Sequence, residues 1–138
     1  DKLPVKLKGK ASRDRYFNYF IFKKDDKVLI SKRGEGDVWQ NLYEFPLLES
    51  KHSMTIPEFL EDEDFIRYFG ANVNLRVLQA QTKHVLSHQN IYARFYRVVD
   101  EKHLVKKNPS WNYYNSDNLD KLAKHKLIFS FINKYFMN

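Results

Sequence analysis

The sequence predicts an α+β domain in which a mixed β-sheet is flanked by helices. One observation is the alternation of apolar and polar side chains over Ile91–Val99, which is typical of a half-buried strand. A second is the helical spacing of apolar residues between Thr55 and Phe69, which opens on a capping signal. A third is the length of 138 residues, which suits one domain with a sizeable core. We expect a folded unit over residues 15–138 behind a basic linker, residues 1–14.

The first elements read as strands joined by a polar turn. Tyr16–Lys23 is dense in aromatic residues and is followed by the turn Lys24–Lys27 and a second strand, Val28–Arg33. This order predicts a β-hairpin. Tyr43–Leu48 is extended, and Pro46 predicts a sheet edge or a bend there.

The first helix is marked by its caps. Thr55 is the predicted N-cap, with Glu58 closing the capping box, and the helix is expected to run to Phe69 and end at Gly70. Its predicted apolar face is Ile56, Phe59, Leu60, Ile66 and Phe69. Its acidic residues are Glu58, Glu61, Asp62, Glu63 and Asp64. We interpret these carboxylates as a solvated face, because no further His or Asp is spaced to complete a metal shell.

The C-terminal part is predicted to hold a loop, a short strand and a helix. The loop is Asp100–Ser110 and the strand is Trp111–Tyr114. Ser116 or Asp117 is expected to cap a final helix that reaches Phe136. The helix positions predicted to be buried are Leu119, Leu122, Leu127 and Phe131.

Composition limits the function classes. The net charge is +7, from 24 Lys and Arg against 17 Asp and Glu. This balance attracts polyanions such as nucleic acid, although a basic surface can also serve solubility alone. The chain has no cysteine, which excludes disulfides and thiolate metal sites. No apolar run has transmembrane or signal-peptide character. The chain starts at Asp1 without Met, so we expect a fragment of a longer protein.

Thr82–His88 is the most informative segment for function. It begins in the last part of the long extended segment Val73–Leu86 and ends just before the strand Ile91–Val99. A polar Ser-His tip on an apolar hairpin presents hydrogen-bonding groups to a partner outside the core. Taken as isolated residues, Ser87 is by default a turn residue and His88 an exposed histidine.

A second segment, Trp39–Pro46, is similar to the strand and loop that precede the catalytic box of Nudix-fold proteins. In that box, glutamates hold a divalent metal around a pyrophosphate. Anchoring the box on Gly70 places Arg67 and Tyr68 where the paired glutamates belong, and only Asp64 keeps a carboxylate. The other box positions fall on Glu49, Thr55 and Glu63. The sequence thus predicts a Nudix-like fold with a degenerate box, no metal site and no catalytic residue.

Together these features resemble the C-terminal domain of MutY-type adenine DNA glycosylases, which remove adenine mispaired with 8-oxoguanine. The resemblance is carried by Leu3–Lys6, Arg15–Phe17, Trp39–Pro46, His84–His88 and Leu119–Ala123. Leu86 stands where the family usually has phenylalanine, and a proline common in the family is absent around Lys124 and His125.

The resemblance implies a role for each residue of the hairpin. Ser87 would read the oxidised edge of the lesion, and His88 would donate to a base or a phosphate. Leu86 would be the buried anchor of the tip, while His84 would brace the hairpin or meet the backbone. The flanking residues expected at phosphates are Lys83, Gln89 and Arg94.

The resemblance also implies partners. They are double-stranded DNA with 8-oxoguanine opposite adenine, and the protein's own N-terminal catalytic domain, which would carry an iron–sulfur cluster. We expect no cofactor in this chain, a monomer, no membrane partner, and a cytoplasmic, nucleoid-associated location in a bacterium. Two alternatives stay open: a divergent Nudix hydrolase of oxidised nucleotides, and a non-catalytic protein-interaction module.

Overall fold

The computed structural model describes residues 12–99 and 108–136. Its strands are β1 (Arg13–Ile21), β2 (Lys23–Lys24), β3 (Lys27–Lys32), β4 (Tyr43–Glu44), β5 (Leu47–Ser50), β6 (Leu75–Val85), β7 (Gln89–Val98) and β8 (Trp111–Asn115). Its helices are α1 (Ile56–Glu61), α2 (Glu63–Phe69), a 3-10 helix (Ser116–Lys121) and α3 (Lys126–Tyr135). In the part of the chain described here, no helix is long and apolar enough to cross a bilayer.

The strands form two sheets. The first has the order β5-β1-β7-β6, with β1 parallel to β7 and the other neighbours antiparallel. The second has the order β2-β3-β4, and β8 also pairs with β3. The predicted α+β architecture, a mixed sheet flanked by helices, is therefore confirmed.

The predicted first hairpin is only partly formed. Tyr16–Lys23 was expected to pair along its length with Val28–Arg33, but β1 lies in the first sheet and only β2 pairs with β3. The reason is that β1 is apolar on both faces. Alternate β1 residues enter two different cores, so the strand must lie between two layers rather than at a hairpin edge.

The two cores lie on opposite faces of β1. On one face Tyr19 stacks on Phe95 with ring centroids 5.0 Å apart, and Phe95 stacks on Phe131 of α3 at 4.0 Å. On the other face Phe20 packs against Tyr96 and the phenylalanines of α1 and α2. The aromatic residues of the sequence thus fix both helical layers to one sheet.

The predicted helix over 55–69 is two helices. Thr55 and Glu58 do form a capping box, with hydrogen bonds of 3.3 and 2.8 Å, but the helix breaks at Asp62, which has extended backbone angles and caps α2. The break turns Phe65 into the core and leaves Ile66 37% exposed, so the predicted apolar face was wrong at that position.

The predicted final helix is also interrupted. Asn115 rather than Ser116 or Asp117 caps the 3-10 helix, and His125 caps α3. Between them the chain is not helical, because the Ala123 carbonyl accepts a hydrogen bond of 2.8 Å from the Tyr43 amide. Leu119, Leu127 and Phe131 are buried as predicted, whereas Leu122 is half-buried.

Two predicted segments fall largely outside the described residues. Residues 1–11 of the predicted linker lie outside them, and β1 begins at Arg13. Residues 100–107 of the predicted loop Asp100–Ser110 lie outside them as well.

Candidate functional site

The hairpin of β6 and β7 presents its tip to solvent. A tight turn closes it, in which the Leu86 amide donates to the Gln89 carbonyl at 2.7 Å. The Arg13 amide donates to the His88 carbonyl at 3.1 Å and ties the tip to β1. Ser87 and His88 are exposed, while Leu86 is half-buried against the core on the α3 side. The polar groups of the tip are therefore available to a partner.

Two neutral histidines brace the hairpin on the α3 side. The ring of His84 lies 6.2 Å from that of His125, which lies 3.6 Å from the Trp39 ring. Burial, and then the Lys126 charge, lower the pKa of His84. Burial, and then His84, lower the pKa of His125 to about 4. The neutral His125 Nδ1 accepts a hydrogen bond of 3.0 Å from the Leu127 amide, so it caps α3 while it packs on the hairpin.

A buried arginine holds the turn end of the hairpin. Arg15 is 5% exposed, and its guanidinium donates to Asp37, to Glu49 and, at 2.8 Å, to the Gln89 side-chain oxygen. The hydrogen bond from Arg15 lowers the pKa of Asp37 to about 2. Hydrogen bonds to Glu49 and Asp37 raise the pKa of Arg15 above its ordinary value. The network joins β7 to β1, to β5 and to the loop that contains Trp39.

The network continues to a buried carboxyl group. Arg33 donates to Asp37 at 2.8 Å and to Glu44 at 3.1 Å, and the Tyr19 hydroxyl donates to Glu44 at 2.8 Å. Glu44 is 5% exposed. Its burial raises its pKa to about 7, against the opposing effect of the Arg33 charge. Glu44 of β4, in the second sheet, is therefore a carboxyl group whose pKa lies close to neutral pH.

Of the residues predicted at the site, Lys83 lies beside the tip and Arg94 lies away from it. Lys83 is exposed, and its Nζ lies 5.8 Å above the Tyr92 ring. Arg94 lies further along β7, where it donates to the Met54 carbonyl at 3.0 Å and to the Tyr96 hydroxyl at 3.3 Å. The structure thus brings the other predicted residues together at the hairpin and places Arg94 at the junction with α1.

Sequence reasoning missed the residues that support the hairpin. From the sequence, Arg15 was noted only within the segment Arg15–Phe17, and no role was predicted for Asp37 or His125. The available signal for Arg15 was a charged residue at the start of a strand otherwise rich in aromatic residues. Trp39 packs against the core, with its ring centroid 5.8 Å from that of Phe17.

A second feature is an open cleft of about 470 Å³ between β3, β5, α2 and β8. The degenerate box positions Asp64, Arg67 and Tyr68 line it, together with Glu44 and Glu49. Other lining residues are Ser31, Lys32, Asn108, Ser110 and Trp111.

Each carboxylate of the cleft already has an arginine partner. Glu44 pairs with Arg33, Glu49 with Arg15, and Asp64 with Arg67. Residues 12–99 and 108–136 contain no group of three or more His, Asp or Glu that could hold a metal ion. The cleft therefore has room for a small ligand, and the carboxylates that line it are held by arginines.

The NUDIX domain family matches residues 18–134, which is most of the chain, and the chain belongs to this family. The C-terminal domain of mouse MUTYH, solved in complex with human PCNA, is 14% identical, with a TM-score of 0.63 over 89% of this chain and 88% of that one. The MutT protein of Bacillus halodurans is 12% identical, with a TM-score of 0.63 over 86% of this chain and 80% of that one. The ORF135 protein of E. coli is 13% identical, with a TM-score of 0.58 over 91% of this chain and 90% of that one. No curated protein matches the chain.

These comparisons confirm the predicted Nudix fold. At such identities the likeness to solved structures concerns the fold. MUTYH and MutT proteins share it with this chain, so the choice between a lesion-reading domain and a hydrolase must come from the site.

Proposed function

We propose that this domain recognises 8-oxoguanine opposite adenine in double-stranded DNA, as the lesion-reading part of a MutY-type adenine glycosylase. The observation that carries the proposal is the exposed Ser87–His88 tip on a hairpin whose turn end is held by Arg15 and His125. Adenine excision and the iron–sulfur cluster would belong to an N-terminal domain of the same protein, which with the lesion-containing duplex would be its partner. Base flipping is expected in that domain as well.

The chemistry of the lesion suits a serine. 8-Oxoguanine carries a carbonyl oxygen on its imidazole ring and a proton on the adjacent nitrogen, whereas guanine offers an acceptor at that nitrogen. The Ser87 hydroxyl accepts from the N–H of the lesion or donates to its new oxygen. One good contact of this kind discriminates by about 1–3 kcal/mol, which corresponds to roughly 5- to 150-fold in affinity. His88 adds a donor at the same tip.

The experiment is a fluorescence anisotropy titration of the chain with two duplexes, one containing 8-oxoguanine opposite adenine and one containing guanine opposite adenine. We expect the lesion duplex to bind at least about fivefold more tightly. Ser87→Ala should remove most of this preference and leave the Kd for the guanine duplex unchanged. The matched control is Ser53→Ala, another exposed serine, which should keep the preference. Equal preference in the wild type and Ser87→Ala would contradict the proposal.

A hydrolase of oxidised nucleotides is the second candidate, because an open cleft lies beside α2 and could hold a nucleotide. Its carboxylates are already paired with arginines, so we expect no turnover of 8-oxo-dGTP with magnesium. Release of pyrophosphate that Asp64→Asn abolishes would favour this candidate. A general protein-interaction module predicts a third result: DNA affinity that depends on salt and is the same for both duplexes.

A further inference from the structure

Val85 is an exposed apolar residue directly beside the polar tip. Its exposed fraction is 69%, the highest among the exposed large hydrophobic side chains of the described residues. The others are Ile66, Val77, Val99, Phe129 and Tyr135, at 36–49%. Leu86, by contrast, faces inward against the core. The side chain of the tip that is positioned to make apolar contact with a partner is therefore Val85 and not Leu86.

Val85 and Lys83 form a row on one face of the hairpin. Val85 lies opposite Asn90 and Lys83 lies opposite Tyr92, and directly opposed residues of antiparallel strands point to the same face. Tyr92 stacks on Tyr16 with ring centroids 5.0 Å apart, and the Lys83 ammonium lies above the Tyr92 ring. The cation–π contact with Tyr92 holds the Lys83 ammonium on this face of the hairpin, which reduces the entropy lost when it binds an anion.

The other face of the hairpin end also carries positive charge. Lys126 at the start of α3 is close enough to lower the pKa of His84, and Arg13 lies opposite Gln89 on β1. Neither of them, nor Lys83, forms an ion pair with a carboxylate in residues 12–99 or 108–136. Arg15, Arg33 and Arg67 do form such pairs. One carboxylate lies at this end of the hairpin, Asp14 on the Val85 face, where it accepts a hydrogen bond of 2.9 Å from Asn90. The three cations outnumber it and lie on both faces, which suits an occupant that has anionic walls on both sides, such as duplex DNA.

We propose that Val85 is an apolar wedge that enters the base stack beside the lesion, and that Lys83 binds a backbone phosphate of the same strand. This inference rests on the proposed function and deepens it, because it assigns contacts that Ser87 and His88 do not make. Apolar side chains inserted at a base step partly unstack it, and 8-oxoguanine then becomes accessible to the serine. Val85 ends β6 and Ser87 lies two residues further on, in the turn, so one insertion of the hairpin end serves both.

The test uses a duplex with 2-aminopurine next to 8-oxoguanine, since 2-aminopurine fluoresces more strongly when it is unstacked. We expect fluorescence to rise when the wild-type chain binds. Val85→Ser should lose most of the rise and weaken binding by about fivefold to tenfold, whereas Val85→Ile should retain both. The matched control is Val77→Ser, a 48% exposed valine on the same strand and the same face, which should behave as the wild type.

Lys83→Ala provides a separate measurement. It should weaken binding to lesion and undamaged duplexes by the same factor and reduce the slope of log affinity against log salt by about one. A loss confined to the lesion duplex would overturn the phosphate assignment of Lys83.

The outcomes separate the inference from the proposed function. A wild-type chain that prefers the lesion duplex, together with an unchanged fluorescence rise in Val85→Ser, overturns the wedge and leaves the lesion reader intact. A wild-type chain with no preference overturns the proposed function itself. If Val85→Ser changes self-association of the chain and not DNA binding, Val85 is a protein contact and the wedge is overturned.

Discussion

Replacing Arg15 with methionine tests the buried network that holds the turn end of the hairpin. Its guanidinium makes five hydrogen bonds at 5% exposure, and Met keeps the apolar stem. Removing one partner of a buried ion pair costs about 3–5 kcal/mol. The side chains of Asp37 and Glu49 are 43% and 33% exposed, so water can hydrate them once the arginine is removed. The loss of unfolding free energy should therefore be about 3 kcal/mol, at the low end of this range. With a urea slope of about 2 kcal/mol/M, the unfolding midpoint should fall by roughly 1.5 M.

Arg67→Met is the matched control, because Arg67 pairs with Asp64 on the surface at 58% and 57% side-chain exposure. Its unfolding free energy should change by less than about 1 kcal/mol. Urea unfolding of both variants, followed by far-UV circular dichroism, gives the comparison. Equal losses of unfolding free energy in the two variants would refute the expectation that the buried Arg15 network contributes more to stability than an exposed ion pair.

Two further predictions concern pH. The Glu44 carboxyl has an ordinary pKa of 4.5 and a folded pKa of about 7, so the folded state binds the extra proton between these values and the wild type loses stability as pH rises through that window. Glu44→Gln should lack this loss, so its urea midpoint should fall less than that of the wild type between pH 5 and pH 8. An equal fall in both proteins would contradict the raised pKa of Glu44. His125 has an ordinary pKa of 6.5 and a folded pKa of about 4, so the wild type loses stability as pH falls through that window. His125→Asn keeps a hydrogen-bond acceptor at the cap of α3, and its urea midpoint should fall less than that of the wild type as the pH is lowered from 6.5 to 4. An equal fall in both proteins would count against burial of the His125 ring.

The sequence was most informative where a feature is set by neighbouring residues. The capping box at Thr55 and the bend at Pro46 need only a few adjacent residues, and the structure confirms both. Gly70 adopts a φ of 91°, which is accessible to glycine and ends α2 as predicted. The exposed Ser87–His88 turn was likewise predictable, because its polar residues interrupt an apolar pattern over a few positions.

Features that depend on distant partners were not predictable. Arg15 is separated from its three partners by 22, 34 and 74 residues, and no local pattern identifies such a set. Arg94 was expected at phosphates because it flanks the tip in sequence, and the hydrogen bond that it donates to the Met54 carbonyl, 40 residues away, could not be predicted. The break at Asp62 lets Phe59 and Phe65 reach the same core, since residues six apart lie on different faces of a continuous helix.

The central claim is that the hairpin tip is the surface that meets damaged DNA. The most direct measurement is an NMR titration of the isotope-labelled chain with the duplex containing 8-oxoguanine opposite adenine. We expect the largest changes in amide chemical shift in residues 83–89 and at Arg13. The changes at these residues should be smaller with the undamaged duplex. Largest shifts at Arg67, Tyr68 and Trp111 would place the ligand in the cleft and contradict the account.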